Sequence, residues 1–242
     1  TAFAPLIHVA ASEKVCAELN LDLLTLAVEP FAVCRACLGD DVESGFSSIV
    51  MDIGGGTTDV AVVEDGGVEG TMMFGIGGRS FTHQIAEALG VDFETAENYK
   101  LDYDTGKLDD RVKSKIETAI SHNLSVWLTG VAVALEEFQE TGSLPRNVLL
   151  CGGGASLSLL QETLAVSDWY KTLPFSRRPV IHLMDVAELP DLNTDKLNVE
   201  GMSMLGHAFA TALGLLRVGT DTLASAPEEN KLKAKISKLL QK

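Results

Sequence analysis

Apolar residues recur along this chain with two different periods. Between residues 48 and 74 they form three short runs, 48–53, 59–63 and 68–74, separated by Gly54-Gly55-Gly56 and by Glu64-Asp65-Gly66-Gly67. Turns this short make consecutive strands antiparallel neighbours, so a three-stranded meander is predicted. After Gly75-Ile76-Gly77-Gly78 the period lengthens to about 3.6, with Phe81, Ile85 and Leu89 on one helical face. A short helix over 93–101 precedes a long one, in which Val112, Ile116, Ile120, Leu124, Trp127, Val131, Leu135 and Phe138 keep spacings of three or four while Gly130 weakens the middle. Residues 147–151 read as a buried strand running into Gly152-Gly153-Gly154, followed by a helix over 157–164, a strand over 179–184 and a closing helix over 202–216. The opening predicts strand 6–10, helix 12–19 with Ser12 as N-cap, strand 24–28 and helix 30–38 with Pro30 in its first turn. A polar break over 39–45 marks the main boundary, and 185–200 is loop-rich with no predicted element. Strands alternating with helices make an α/β protein.

Composition narrows the function classes. The 242 residues are 46% hydrophobic and 22% charged, which excludes disorder as the main state. Lys and Arg total 19 against 34 Asp and Glu, a net charge of −15 that argues against attraction to a phosphate backbone, so no nucleic-acid partner is expected. The charge is uneven, because 227–242 carries five Lys and two Glu and leaves −18 on the rest. No uninterrupted apolar run approaches the roughly 20 residues that span a bilayer, and no basic leader with an apolar core opens the chain. The start at Thr1 is read as that of a processed or excised chain. Four cysteines, Cys16, Cys34, Cys37 and Cys151, do not make a disulfide framework, which points to a reducing, cytoplasmic setting. Cys34 and Cys37 have metal-like spacing but no second pair, so they are read as small residues on a helix face. The five histidines show no H-x-x-x-H pairing.

The segment Asp52-Ile53-Gly54-Gly55-Gly56-Thr57-Thr58-Asp59 holds the strongest chemical signal. Three glycines let the backbone approach a bulky anion and turn successive N–H groups toward it, as nucleotide phosphates require. Thr57 and Thr58 add hydroxyls, and an aspartate ending the first strand can hold Mg²⁺ through water, because that ion keeps much of its hydration. A bare Gly-Gly-Gly would be a hairpin turn; Asp52, the threonines and Asp59 at these offsets favour the phosphate reading. Gly75-Ile76-Gly77-Gly78 is not a dinucleotide fingerprint, since Ser80 stands where its third glycine belongs.

Residues 52–59, followed by Val60-Ala61-Val62-Val63, resemble the second phosphate motif of the actin-like ATPase superfamily. Within it the sequence is most similar to the bacterial cell-division family FtsA, with the pilus-assembly family PilM next. Further pieces occur in family order. Glu29-Pro30-Phe31-Ala32 resembles the connecting helix, whose glutamate positions the attacking water in MreB-like members. Gly75-Ile76-Gly77-Gly78 with Thr82 resembles the end of the third strand. Ala96-Glu97-Asn98-Tyr99-Lys100 matches the Ala-Glu-x-x-Lys pattern whose Glu97 and Lys100 would contact the nucleoside. Residues 148–155, with Gly152, Gly153 and Gly154, resemble the adenosine motif, and Ala210-Thr211-Ala212-Leu213-Gly214 the closing helix.

The resemblance implies an actin-like (ribonuclease-H-like) α/β fold, a mixed sheet with helices on both faces and a small inserted subdomain. It further implies ATP or ADP as ligand with Mg²⁺ held through water by Asp52; Glu29 and Asp52 as catalytic residues; and Gly54, Gly55, Gly56, Thr57, Thr58, Asp59, Glu97, Lys100, Gly152, Gly153 and Gly154 as binding residues. Self-association into filaments, bacterial division proteins as partners and a place at the inner face of the cytoplasmic membrane follow from the same likeness. PilM-like scaffolding, with the nucleotide structural or lost, and a small-molecule kinase of the superfamily are the alternatives.

Nothing before Glu29 supplies the family's first phosphate motif, so the chain is expected to be the carboxyl-terminal half: 1–46 the end of domain I, 47–218 domain II with a small insertion near 79–118, and 219–242 a basic tail. On that expectation the intact protein would be a weak ATPase and this chain alone would hydrolyse ATP negligibly. After Gly154 the likeness thins over 156–178. Plainer roles stand beside these: Glu29 as a carboxylate favoured by a helix N-terminus, Glu97 and Lys100 as a surface ion pair, the 112–138 stripe as core. In the tail, Leu232, Ile236, Leu239 and Leu240 alternate with Lys231, Lys233, Lys235, Lys238 and Lys242, a basic amphipathic pattern suited to an anionic membrane surface or to a solvated helix end.

Overall fold

The computed structural model describes residues 4–38, 45–138, 142–185, 189 and 206–225. Its centre is a five-stranded mixed sheet of β1 (Ser48–Ile53), β2 (Thr58–Glu64), β3 (Gly67–Phe74), β4 (Asn147–Cys151) and β5 (Val180–Leu183), in the order β3-β2-β1-β4-β5. The meander forms as predicted: β1 pairs antiparallel with β2, and β2 with β3. β4 returns parallel to β1, and β5 parallel to β4, each after a helical crossover.

β1 is buried at every position, because both faces of the sheet are covered. Ile49, Met51 and Ile53 of β1, with Val60 and Val62 of β2, face one core together with α3 (Gly78–Leu89), α4 (Phe93–Asp102), α5 (Asp110–Glu136) and α6 (Ser158–Val166). Val50, Ala61, Val63 and Cys151 face a second, smaller core under α2 (Glu29–Leu38) and α7 (Ala210–Ser225), with Val33, Cys34 and Ala210. Burial pushes the thiols of Cys34 and Cys37 up to about 12, so both stay protonated and pack as small apolar groups.

α5 is long and apolar enough to cross a bilayer by length and composition, yet Ile116, Ile120, Trp127, Val131 and Leu135 are buried within the first core. Gly130 does not break it, because Phe74 of β3 packs so closely there that a Cβ would come within 2.8 Å of the ring. Asp109 caps its start, accepting from the Val112 N–H at 2.9 Å. The apolar stripe read from sequence is therefore core.

The opening differs from the expectation. Residues 6–10, read as a strand, begin a continuous helix, α1 (Leu6–Glu18), and Ser12 is no N-cap but sits inside it, donating to the His8 carbonyl at 3.1 Å. Residues 24–28, also read as a strand, carry no regular structure. A strand needs a neighbour to take its backbone groups, and no described strand lies beside either segment; a helix satisfies them internally. α1 buries none of its residues. α2 begins at Glu29 with Pro30 in its first turn, as expected. The last helix starts later than predicted, at Ala210, after a 3₁₀ turn over Gly206–Phe209. Most of the polar break, residues 202–205 of the predicted closing helix and the basic tail over 227–242 fall outside the described residues.

Candidate functional site

β1 and β4 lie side by side and parallel, so their carboxyl ends, and the glycine turns that follow, open on the same edge of the sheet. From β1 the chain turns back to β2 on one side; from β4 it continues toward β5 on the other. A crevice at such a switch point is where open α/β sheets place ligands.

Three glycine segments meet there. Gly54 donates to Thr57 O at 2.9 Å, closing the first turn. The Gly75-to-Gly78 segment folds onto it, with Gly78 N donating to Gly54 O at 2.9 Å and Arg79 N to Gly55 O at 2.8 Å. Gly154 approaches from β4, its Cα 3.7 Å from where a Cβ on Gly78 would stand. The N–H groups of Gly55 and Gly56 have no partner among the described residues, and both residues are exposed.

On the α2/α7 side three carboxylates converge. Asp52, from the end of β1, pairs in register with Asp59 of β2, and Glu29 arrives from the start of α2. Asp52 is buried; its Oδ2 accepts from the Thr211 hydroxyl of α7 at 2.9 Å, and the same hydroxyl lies 3.3 Å from Glu29 Oε1. The protein packed around Glu29, then the charge of Asp52, raise its carboxyl above the ordinary value; the Thr211 hydroxyl partly opposes this. Asp59 is also raised, by burial and then by the Glu29 charge, against a hydrogen bond from Thr57. The Cys151 thiol is driven well up by burial first and by the Asp52 charge second. The site is thus short of positive charge on this flank, which suits a bound cation.

Across the turn, Lys100 and Glu97 of α4 do more than a surface pair. Lys100 Nζ donates to Glu97 Oε2 and Thr82 Oγ1, each at 2.8 Å, and to Gly78 O at 3.2 Å; its side chain is only 10% exposed. The Thr82 hydroxyl bonds Glu97 Oε2 as well. Burial by itself would raise the Glu97 carboxyl, but the bonds from Lys100 and Thr82, together with the charges of Lys100 and Arg79, outweigh it and hold it below its ordinary value. The cluster ties α4 to the start of α3 behind the glycine turn.

Because the folded carboxyl of Glu97 lies lower than the unfolded one, its contribution to stability is present above the unfolded pKa and is lost as pH falls through the folded value. Lys100→Met is expected to cost roughly 1 to 3 kcal/mol at neutral pH, by leaving Gly78 O and Glu97 without their cation. It should cost less near pH 3. Urea denaturation at the two pH values checks both parts.

Two expected residues sit differently from the rest. The Thr58 hydroxyl, read as a phosphate donor, is turned into the core, where it donates to Ile76 O at 2.8 Å and accepts from Trp127 Nε1 at 2.9 Å. It is buried and engaged, so Thr57 alone of the pair stands at the exposed turn. Gly152 has φ +84° and lies directly against Asp52, with its N–H donated to the His207 carbonyl at 2.9 Å. Gly153 faces open space.

Sequence reasoning missed Thr211 and Arg79. Thr211 lies among small residues in Ala-Thr-Ala-Leu-Gly, a spacing that marks close helix packing, and a lone hydroxyl there is the available hint. Arg79 is the one Lys or Arg between Arg35 and Lys100 and directly follows the Gly77-Gly78 pair.

Comparison with known proteins agrees with the geometry. The family model for cell division protein FtsA matches residues 49–214, a range that contains all of the sheet but Ser48 and all three glycine segments. The cell division protein FtsA of Enterococcus hirae is 29% identical over 168 residues, covering 59% of this chain and 37% of that relative. The chain therefore spans little more than a third of that relative's length. Among solved structures, the PilM-PilN type IV pilus biogenesis complex superposes with a TM-score of 0.67 at 24% identity, over 87% of this chain and 57% of the other. MreB5 of Spiroplasma citri bound to ADP superposes with a TM-score of 0.53 at 15% identity, over 88% of this chain and 65% of that one. These neighbours make the fold actin-like, with the mixed sheet and two helical faces expected. With more than half of its residues matched by the family model, the chain belongs to the FtsA family of cell-division proteins.

Proposed function

We propose that this chain is the second-domain half of an actin-like protein that binds ATP or ADP with Mg²⁺ on the glycine turns at the carboxyl ends of β1 and β4. The observation that carries the reading is the convergence of residues 54–56, 77–78 and 152–154 around the N–H groups of Gly55 and Gly56, which have no partner among the described residues, with the Asp52 carboxylate alongside. An ADP-bound MreB5 among the fold neighbours supports it. In this reading 1–46 ends domain I, 47–218 is domain II with 79–118 as its insertion, and 219–242 is the basic tail.

The donor set fits the ligand. Backbone N–H groups of Gly55 and Gly56 would take phosphate oxygens, and the Thr57 hydroxyl would join them on turning from Asp59. Asp52 would hold Mg²⁺ through water, and that ion supplies charge neutralisation at the phosphates. Glu29, at the mouth beside Asp52, would orient a water molecule. Glu97, whose Oε1 lies outside the Lys100 cluster, and the turn over 152–154 would flank the nucleoside. Within the whole protein this site would govern assembly into filaments that link division proteins to the cytoplasmic face of the membrane, with weak ATP hydrolysis. A PilM-like scaffold is the second reading, favoured by the extent of that superposition.

Titration with ADP, with and without Mg²⁺, tests the site. Binding should tighten with Mg²⁺, and Asp52→Asn should remove about tenfold or more of that gain while leaving Mg-free binding in place. Mg-independent binding, or none, would favour the scaffold.

A further inference from the structure

We infer that Arg79 is the cation that receives the nucleotide's phosphates, a residue that sets preference for di- and triphosphates over the bare nucleoside. The inference rests on the nucleotide reading above. Phosphates are multiply charged, and the flank formed by Glu29, Asp52 and Asp59 repels them unless a metal intervenes. A positive side chain on the opposite flank would complete the site.

Lys100 cannot serve, because an ammonium has three donors and all three are taken by Gly78 O, Thr82 Oγ1 and Glu97 Oε2. Arg79 has what Lys100 lacks. Its backbone N–H is fixed to Gly55 O at 2.8 Å, which anchors the residue to the phosphate turn itself. Its side chain lies along that turn, with Nε 3.4 Å and Cζ 3.7 Å from where a Cβ on Gly55 would stand. The residue is exposed, and its guanidinium makes no hydrogen bond or ion-pair contact among the described residues, although its charge reaches Glu97 and helps to hold that carboxyl low.

Two independent features of one turn therefore call for an anion: the N–H groups of Gly55 and Gly56, which have no partner among the described residues, and an exposed guanidinium beside them that no hydrogen bond or ion-pair contact holds. Five donors in a planar fork suit phosphate oxygens better than a single ammonium would. The three carboxylates Glu29, Asp52 and Asp59 lie toward α2 and α7, whereas on the α3 side the carboxylate within reach of the Arg79 charge, Glu97, is already neutralised by Lys100, which leaves that charge to face a Mg·phosphate group.

The test measures affinities of the 242-residue chain for adenosine, AMP, ADP and a non-hydrolysable ATP analogue in Mg²⁺, for wild type, Arg79→Gln and Arg79→Lys. Glutamine keeps the side chain's packing over Gly55 and removes its charge. Arg79→Gln is expected to weaken ADP and the ATP analogue about tenfold and to leave adenosine unchanged, while Arg79→Lys keeps most of the affinity. A melting temperature unchanged in both variants confirms that the turn is intact. Equal losses for adenosine and ADP, or no loss for any ligand, would overturn the role of Arg79 while the nucleotide site stands. If wild type binds none of the four ligands, the nucleotide reading itself falls and this assignment with it.

Discussion

Gly152→Ala should destabilise the chain by about 3 to 5 kcal/mol and abolish Mg-dependent nucleotide binding. Two costs add. At φ +84° and ψ 157° the backbone occupies a region that only glycine enters readily, worth on the order of 1 to 3 kcal/mol for any other residue. The new methyl group would then stand 2.2 Å from Asp52 Oδ1 and 2.5 Å from Ile53 O, so either the carboxylate or the β1 backbone must move. Both belong to the end of β1 on which the proposed site is built. Gly153→Ala is the control: nothing lies within 4 Å of its Cβ, so stability should change by less than about 1 kcal/mol. Urea denaturation of the two variants, followed by titration with ADP and Mg²⁺, separates the fold effect from the binding effect. Equal stabilities for Gly152→Ala and wild type would mean that β4 does not leave the sheet as described.

Gly214→Ala should cost about 3 kcal/mol and lower the melting temperature by roughly 10 °C. Here the backbone is ordinary helix and the cost is all contact. α7 crosses α2 so closely that a Cβ on Gly214 would stand 1.8 Å from Ala32 O and 2.2 Å from its carbonyl carbon. The obstacle is backbone, which cannot swing aside as a side chain would, so the helices must part. Parting them also draws Thr211 away from Asp52 and strains the bonds of Arg35 Nε and Nη2 to Asp221 Oδ2, at 3.0 and 2.6 Å. Gly219, five residues further along α7, has open space around it, and Gly219→Ala should be neutral or stabilising by up to about 1 kcal/mol. Thermal unfolding followed by circular dichroism distinguishes the pair.

The β1 to β3 meander and the helices from Gly78 to Glu136 were legible because their signals are local. Glycine turns and a change from alternating to 3.6-residue spacing need no knowledge of neighbours. The inward hydroxyl of Thr58 was legible too, though the motif reading passed over it: Thr58 shares its parity with Val60 and Val62, whose side chains enter the first core. The helix read over 12–19 falls almost entirely within α1, but residues 6–10 and 24–28 were not legible. Their apolar content suits strands, but strands exist only where another strand accepts their hydrogen bonds, and Leu6 and Ile7 instead stand 83% and 73% exposed on α1. Thr211 and Arg79 escaped for a related reason. Each acts on a residue distant in sequence, Thr211 on Asp52 159 positions away, and no local period encodes such a meeting.

By itself, then, the sequence determined the class of fold, the three glycine turns and the motif order that places the chain near FtsA, since each depends on residue type and short spacing. Only the tertiary structure decided that those turns share one edge of the sheet. It alone brought Glu29, Asp52 and Asp59 together on one flank and Arg79 to the other, and it alone closed the Lys100 ammonium within the protein. Parallel pairing of β1 with β4, about a hundred residues apart in the chain, is what brings these groups together, and pairing is a property of two segments at once.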